Sequence, residues 1–225
     1  MGCQDFGFIQ QNPKMIIYDN YNFEQGSEAW HALRLGVVTA SNFNTRMGSE
    51  KYMLGKIFER LYNKPYRENY TNDAMQRGFE IEPYARAEYQ ERTGIEIYQV
   101  GFVKHNDNIG CSPDGLSEGG LEIKCPDTAT HMSYILNGFP STYKAQVQGG
   151  IWVCERDWWD FVSFDDRHEI QPYFCERVYR NEKYIKQVSV AVYDFEYRML
   201  ELEAKLRGKD LLTQQLEQSI KEVMI

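Results

Sequence analysis

Residues 111–126 read CSPDGLSEGGLEIKCP, and the way this stretch folds decides the rest. Two short apolar runs, 109–116 and 121–125, flank the tetrapeptide SEGG, which predicts a tight β-hairpin. Side chains two apart on a strand share a face, so Glu122 and Lys124 project together while Ile123 points the other way, into the core. Asp114 ends the preceding strand, and closing the hairpin brings it towards Glu122. Two carboxylates held together repel at neutral pH unless a cation lies between them. Mg2+ takes oxygen ligands and keeps several waters. Asp114, Glu122 and the backbone carbonyl of Ile123 are therefore candidate metal ligands. Lys124, with a depressed pKa, would orient or deprotonate an attacking water. This is equipment for phosphodiester hydrolysis. The plainer alternative is an acidic hairpin with a surface Glu–Lys pair, and the spacing alone leaves both open.

Outward from the hairpin, the period changes from strand to helix on both sides. Downstream, 141–154 reads as helix and DWWDFVSFD (157–165) as a strand bounded by acids. Upstream, IEIYQVGFV (95–103) reads as a strand, and 74–92 as a helix ending at Gly94. Residues 50–63 are helical by pattern, and NKPYRENYTND (63–73) is a loop. GSEAWHALRLG (26–36) predicts a short helix capped by Ser27 and stopped by Gly36, and a second helical start follows with Thr39 as its cap. Residues 1–22 show no period. Near the C-terminus, Ile185, Val188, Val192, Phe195, Met199, Leu202 and Leu206 recur at alternating spacings of 3 and 4, a seam fit for packing on the domain or at a subunit interface. Gly208 breaks it, and 210–224 predicts a last amphipathic helix. The order points to an α/β fold with a central mixed sheet flanked by helices, and to a single domain over 1–225.

Composition narrows the function. The chain is 42% hydrophobic and 26% charged, with 16 tyrosines and a formal net charge of −8. That excludes a basic, histone-like binder but not a nuclease with a locally basic groove. Five cysteines, an odd number with no C-x-x-C, read as free thiols in a reducing compartment. No apolar run reaches membrane-spanning length, so no membrane partner is expected. The start MGCQDF has Phe6 where myristoylation needs Ser or Thr, and no signal peptide is legible. The expected location is the cytoplasm.

Four ordered blocks carry a resemblance. CSPDGL…LEIKCP resembles the core of the PD-(D/E)xK nucleases, and more specifically the phage lambda exonuclease family, also described as YqaJ-like viral recombinases or alkaline exonucleases. EQGSEAWHALRLGVVTAS (24–41), RGFEIEPYAR (77–86) and YKAQVQGGIWV (143–153) are similar to further family motifs, and the likeness spans about 24–206. It implies a restriction-endonuclease-like core and a Mg2+-dependent 5′→3′ exonuclease. Such an enzyme degrades one strand of linear double-stranded DNA from 5′-phosphorylated ends, leaving 3′ overhangs for recombination by strand annealing. Two Mg2+ ions are implied, with Mn2+ able to substitute. So are a single-strand annealing protein as partner, a toroidal homotrimer, and a phage or prophage protein in a bacterial host. A closed ring around duplex DNA needs less electrostatic grip, which suits the acidic net charge.

The resemblance also assigns roles. Glu82, an acid on the apolar stripe of its helix, is implied near the metal rather than in a core salt bridge with Arg77 or Arg86. Gln148, on the stripe with Ala145, Ile151 and Trp152, is implied near the attacking water or the phosphate rather than as a satisfied core amide. Arg34, Ser41 and Ser112 are implied to bind the 5′-phosphate, and Trp30 to stack near the terminal base pair. The match is incomplete at Arg46, a substitute phosphate contact, and at Asp107, a substitute acid before CSPDG. Rival readings are an endonuclease or RecB-like nuclease on the same core, an iron–sulfur nuclease, which the scattered cysteines disfavour, and a DNA-end-binding module without catalysis.

Overall fold

The computed structural model describes residues 15–67 and 73–208. The chain opens with β1 (Ile16–Asp19), α1 (Glu28–Leu33), β2 (Val38–Thr39), α2 (Glu50–Tyr62) and α3 (Asp73–Thr93). A β-rich stretch follows: β3 (Val100–Lys104), β4 (Ile109–Cys111), β5 (Gly115–Leu116) and β6 (Gly120–Lys124). Then come α4 (Thr128–Asn137), α5 (Lys144–Val153), β7 (Trp158–Phe164), β8 (Tyr173–Tyr179) and the long α6 (Glu182–Leu206).

Local chemistry sets the boundaries. Ser27, Ser49, Asp127 and Asn181 cap α1, α2, α4 and α6, each accepting a backbone N–H of the first turn. Gly36 takes φ +70° just past α1, a conformation that a Cβ disfavours. Past Thr39, the expected helical start is a single 3-10 turn over Ala40–Asn42, and the Thr39 side chain makes no capping bond.

The expected α/β fold forms, with mixed sheets flanked by helices, and the sheet is refined in one respect. One central mixed sheet was expected; two four-stranded mixed sheets form, ordered β1-β3-β4-β2 and β5-β6-β7-β8. A lone antiparallel bridge, Tyr98 to Leu116, runs from the segment before β3 to β5. The break falls inside 109–116, read as one strand. Pro113 lacks the N–H that a ladder needs, so β4 stops at Cys111 and a new strand starts after Asp114. Four elements were not read as such from the sequence: β1, β2, α4 and β8.

The second sheet positions the chemistry. β6 runs antiparallel to β5, with Gly115 opposite Leu121, and parallel to β7, with Glu122 opposite Phe161. A Cβ on Gly120 would meet the Trp159 ring at 2.1 Å, so only glycine lets this strand lie so close. Leu121, Glu122 and Ile123 are all buried, the mark of a central strand. On its far side, Ala85 and Tyr89 of α3 pack with Leu121, Ile123 and Val162. The C-terminal seam packs within the chain: Ile185, Val188, Val192, Phe195 and Met199 join the main core with residues of α2 and α5. Leu206, at its end, is 63% exposed. The helix predicted over 210–224 lies outside the described residues.

Candidate active site

The hairpin closes as its spacing requires. The backbone N–H of Asp114 donates to the carbonyl of Leu121 at 3.1 Å, and the Ile123 N–H donates to Asp114 Oδ2 at 2.7 Å. Glu122 and Lys124 sit on one face, and Lys124 Nζ donates to Glu122 Oε1. Glu122 Oε1 also accepts from Gln146 Nε2 of α5 at 2.5 Å. From α3, Glu82 pairs with Arg86, whose Nε donates to the Asp114 carbonyl at 3.0 Å. Glu82 is thus ion-paired to Arg86, as one reading had it, and also lies within electrostatic reach of Asp114 and Glu122. Arg86 is the buckle between α3 and the hairpin.

The cluster crowds three carboxyls against two cations. Three carboxylates (Glu82, Asp114 and Glu122) face Lys124 and Arg86. Burial pushes Glu82 up to about 7, helped by the charge of Asp114 and opposed by Arg86 and Lys124. Burial likewise pushes Glu122 up to about 7, against the pull of Lys124. Asp114 is raised too, by burial, against Lys124 and the Ile123 N–H. The expected depression of Lys124 does not occur. Burial alone would lower it, but Glu122 and Asp114 outweigh that and the net shift is upward. A lysine hydrogen-bonded to a carboxylate and facing another keeps its proton.

These donors fit a hard divalent cation. Among the described residues, no three His, Cys, Asp or Glu side chains converge at metal-ligand spacing. The set is a carboxylate pair plus a backbone oxygen, which suits an ion that keeps most of its waters. The N–H and C=O of a strand residue lie on the same side, so the Ile123 carbonyl faces the Asp114 edge to which its N–H donates.

A cavity of about 180 Å3 joins this cluster to a second, cationic end, lined by Trp30, Arg34, Ser41 and Ser112. The Arg34 guanidinium stacks on the Trp30 ring at 3.9 Å. The Trp30 indole N–H is shared between the Gly101 carbonyl at 2.9 Å and Ser112 Oγ at 3.0 Å. Arg34 Nη1 reaches Ser112 Oγ at a long 3.5 Å. Ser112 Oγ accepts both N–H groups and keeps its own O–H as a donor. Among the described residues Arg34 has no ion pair, and burial lowers it to about 10, still cationic at neutral pH. Ser41 lies exposed in the 3-10 turn, its Oγ 3.2 Å from Thr39 Oγ1.

Gln148 is not in this site. Its Nε2 donates to the Tyr179 carbonyl at 2.8 Å and its Oε1 accepts from Asn181 N–H at 2.9 Å. It is the satisfied core amide of the plainer reading, tying α5 to the β8–α6 junction. The amide that reaches the acids is Gln146, two residues earlier and on another face. Asp107 is exposed in the β3–β4 turn and does not line the cavity; Arg46 lies over the Tyr52 ring at 5.6 Å, outside the lining. Gln25, also missed, braces the loop before the hairpin by donating to the Pro113 carbonyl at 2.8 Å. No periodicity singles it out.

Residues 29–157 match the family model of the YqaJ-like viral recombinase domain. Among solved structures, the alkaline exonuclease LHK-Exo from Laribacter hongkongensis is 37% identical, with a TM-score of 0.74 over 81% of this chain and 97% of that one. Its complex with dAMP superposes with a TM-score of 0.75 at the same identity and coverage. A phage related exonuclease from Haemophilus somnus 129PT, 17% identical, shares the fold with a TM-score of 0.58 over 76% of this chain and 96% of its own. ExoD of Escherichia coli (strain K12) is 35% identical over 78 residues, which are 33% of this chain and 90% of that protein.

Proposed function

The chain belongs to the YqaJ-like viral recombinase family, the lambda-exonuclease-like group, and from that premise we propose that it is a Mg2+-dependent 5′→3′ exonuclease. Its substrate is linear double-stranded DNA with a 5′-phosphorylated end, and it leaves a 3′ single strand. One observation carries the reading: a single cavity joins an arginine that has no ion pair among the described residues to the clustered carboxyls of Asp114 and Glu122. An anion fits one end and a divalent cation the other.

In this reading Arg34 clasps the terminal phosphate and Ser112 donates its O–H to it, with Ser41 at the rim. Trp30 holds the guanidinium plane and walls the terminal base pair. Anchoring the end in this way presents the next phosphodiester to the acids, which is catalysis by positioning. Asp114, Glu122 and the Ile123 carbonyl would hold Mg2+, two ions in all, with Mn2+ able to replace them. The ion supplies Lewis-acid stabilisation of charge on the scissile phosphate. Lys124, firmly protonated here, orients the attacking water by donating to it. Gln146 fixes the rotamer of Glu122, and Arg86 holds Glu82 and the hairpin in register. The dAMP bound by LHK-Exo, a mononucleotide, is consistent with release of single nucleotides.

The chain would act with a single-strand annealing protein in recombination, in the cytoplasm of a bacterium carrying a phage or prophage. It would assemble as a toroidal trimer through surfaces other than the buried part of the α6 seam. Among the described residues, no helix is long and apolar enough to cross a membrane.

The test is digestion of linear duplex DNA labelled on one strand, with 5′-phosphate or 5′-hydroxyl ends, for wild type and Arg34→Ala. Digestion from the 5′ end that prefers the phosphate, with that preference lost in the variant, supports the reading. Internal cutting, or degradation from 3′ ends whatever the phosphate, refutes it.

A further inference from the structure

Both ends of the cavity hang from one short loop. Ser112 belongs to the anion end and Asp114 to the acids; only Pro113 separates them, and all three line the cavity. Each outer residue is held by its own end. Trp30 Nε1 donates to Ser112 Oγ at 3.0 Å, and the Ile123 N–H donates to Asp114 Oδ2 at 2.7 Å. What joins the two is the peptide between Pro113 and Asp114. Its N–H donates to the Leu121 carbonyl at 3.1 Å, within the hairpin. Its carbonyl accepts from Gln25 Nε2 at 2.8 Å, a side chain 88 residues away in sequence.

The backbone of Gln25 is itself fixed. It is the second residue of a turn closed by the Ser27 N–H on the Glu24 carbonyl at 2.9 Å, and Gly26 follows it at φ +91°, which the third residue of such a turn takes from glycine. Ser27 then caps α1, which carries Trp30 and ends at Arg34. Gln25 Nε2 also reaches the Val100 carbonyl at 3.3 Å, and the Trp30 indole N–H reaches the next carbonyl of β3, that of Gly101, at 2.9 Å. The segment bearing the anion end is thus pinned to β3 and, through Gln25, to the loop. Two carbonyl partners leave one orientation for the amide, with its nitrogen towards them. Gln25 lines the cavity too. Both its partners are backbone carbonyls, so neither end owes its charge to Gln25.

We propose that Gln25 is a positioning residue that couples the two ends. By holding the Pro113 carbonyl it sets the span between the bound 5′-phosphate and the carboxyls of Asp114 and Glu122, and so presents the next phosphodiester to the attacking water. Gln25 touches neither the phosphate nor the reacting atoms; it acts through the loop. Without its N–H groups the Pro113 carbonyl turns to water, and Ser112 and Asp114 lose their common frame while each keeps its own partners. A bound terminal phosphate then no longer accelerates cleavage, because that acceleration depends on a fixed span. The inference rests on the terminal-phosphate reading of the cavity.

The experiment compares wild type, Arg34→Ala and Gln25→Met, which keeps the length of the side chain without its N–H donors. Blunt duplex DNA carries 5′-phosphate or 5′-hydroxyl ends. Equilibrium binding of the two in EDTA, where nothing is cleaved, reports the anion end alone. The rise in Tm on adding Mg2+ reports the acids alone. The ratio of single-turnover cleavage rates on the two kinds of end, at saturating enzyme, reports the coupling. Gln25→Met should keep the phosphate preference in binding and the Mg2+ shift of wild type, and lose about tenfold or more of the rate ratio. Arg34→Ala should lose the binding preference and the rate ratio together. A full rate ratio in Gln25→Met, a lost binding preference, a lost Mg2+ shift, or a fall in metal-free Tm beyond about 5 °C would each overturn the inference while leaving the pocket standing. So would a wild type that prefers the phosphate in binding yet cleaves both ends at one rate. A wild type that binds both ends alike would overturn the pocket itself, and the inference with it.

Discussion

Gln146 and Gln148 are two residues apart on α5, and truncating each to alanine should have opposite consequences. Gln148 is 2% exposed, and its amide satisfies two backbone groups, the Tyr179 carbonyl and the Asn181 N–H. Gln148→Ala leaves both unpaired, at about 1–3 kcal/mol each, and opens a cavity. A loss on the order of 3–5 kcal/mol follows, because backbone and cavity can relax together. For a chain of this size that is a fall in Tm on the order of 10 °C. The site is untouched, so the folded fraction should cleave at close to the wild-type rate. Gln146 is half-buried and makes one bond, to Glu122 Oε1 at 2.5 Å. Gln146→Ala removes a donor at a half-buried position where water can replace it, a stability cost of about 0.5–1 kcal/mol. Where that bond aims Glu122, the rate should fall about ten- to hundredfold, with Tm within about 2 °C of wild type. Thermal melts and initial rates on linear duplex DNA, taken well below each variant's Tm, separate the two. If Gln148→Ala keeps its Tm and loses activity while Gln146→Ala is silent, the placement of the two amides is wrong.

Three further outcomes are expected. Lys124→Met should cut cleavage by about a hundredfold or more while leaving binding of 5′-phosphorylated duplex within a few-fold of wild type; cleavage at the wild-type rate would remove Lys124 from the chemistry. The stabilisation of the protein by Mg2+ should grow as pH rises from 6 to 8. Carboxyls raised to about 7 in the fold, as Glu82 and Glu122 are, stabilise it while protonated below their unfolded values; that contribution is lost as pH rises through about 7, where the carboxylates become free to take the ion. A Mg2+-induced shift in Tm that is flat from pH 6 to 8 would contradict the cluster. Glu203→Ala should cost about 2–4 kcal/mol without altering the cleavage rate. Glu203 is 1% exposed and holds Arg60 of α2 and Arg207 past α6; the estimate sits low because Arg207 is 38% exposed and can turn to water. A chemical-denaturation midpoint equal to that of wild type would refute it.

What the sequence made legible follows from how local each signal is. The hairpin, Asp114, Glu122 and Lys124 were readable because a tight turn and a period of two fix them within a dozen residues. The helices of 28–33, 50–62 and 73–93 were readable from caps and stripes. β1 and β8 were not. β8 is half-exposed along much of its length and alternates poorly, and β1 is mostly exposed, so neither carries a burial pattern of its own. Their strand form depends on pairing with β3 and β7. Gln148 was misplaced for a related reason. An apolar stripe locates an inward face only when the other face is wet, and α5 is buried nearly all round, from Ala145 to Val153. On such a helix several faces are inward, and only one of them meets the acids.

Protonation was the least legible property, and Lys124 makes the reason plain. Its neighbours in sequence include one acid, Glu122, which by itself leaves open whether burial or charge wins. The fold adds Asp114 from across the hairpin and Tyr143 from the segment before α5, with the ammonium 5.1 Å from that ring centre. Those groups reach the same ammonium from different elements, and their sum reverses the sign that burial alone would give. A lysine raised in this way is poorly suited to take a proton from water and well suited to donate a hydrogen bond to it. The same counting applies at the other end of the cavity with the opposite result. Arg34 stacks on an indole and reaches a serine oxygen but makes no ion pair among the described residues, so its charge is left for a ligand. One end of the cavity holds crowded carboxyls and the other a positive charge without an ion pair among the described residues. The two are complementary to a phosphorylated strand end approached by a divalent cation, and neither could be summed before the chain was folded.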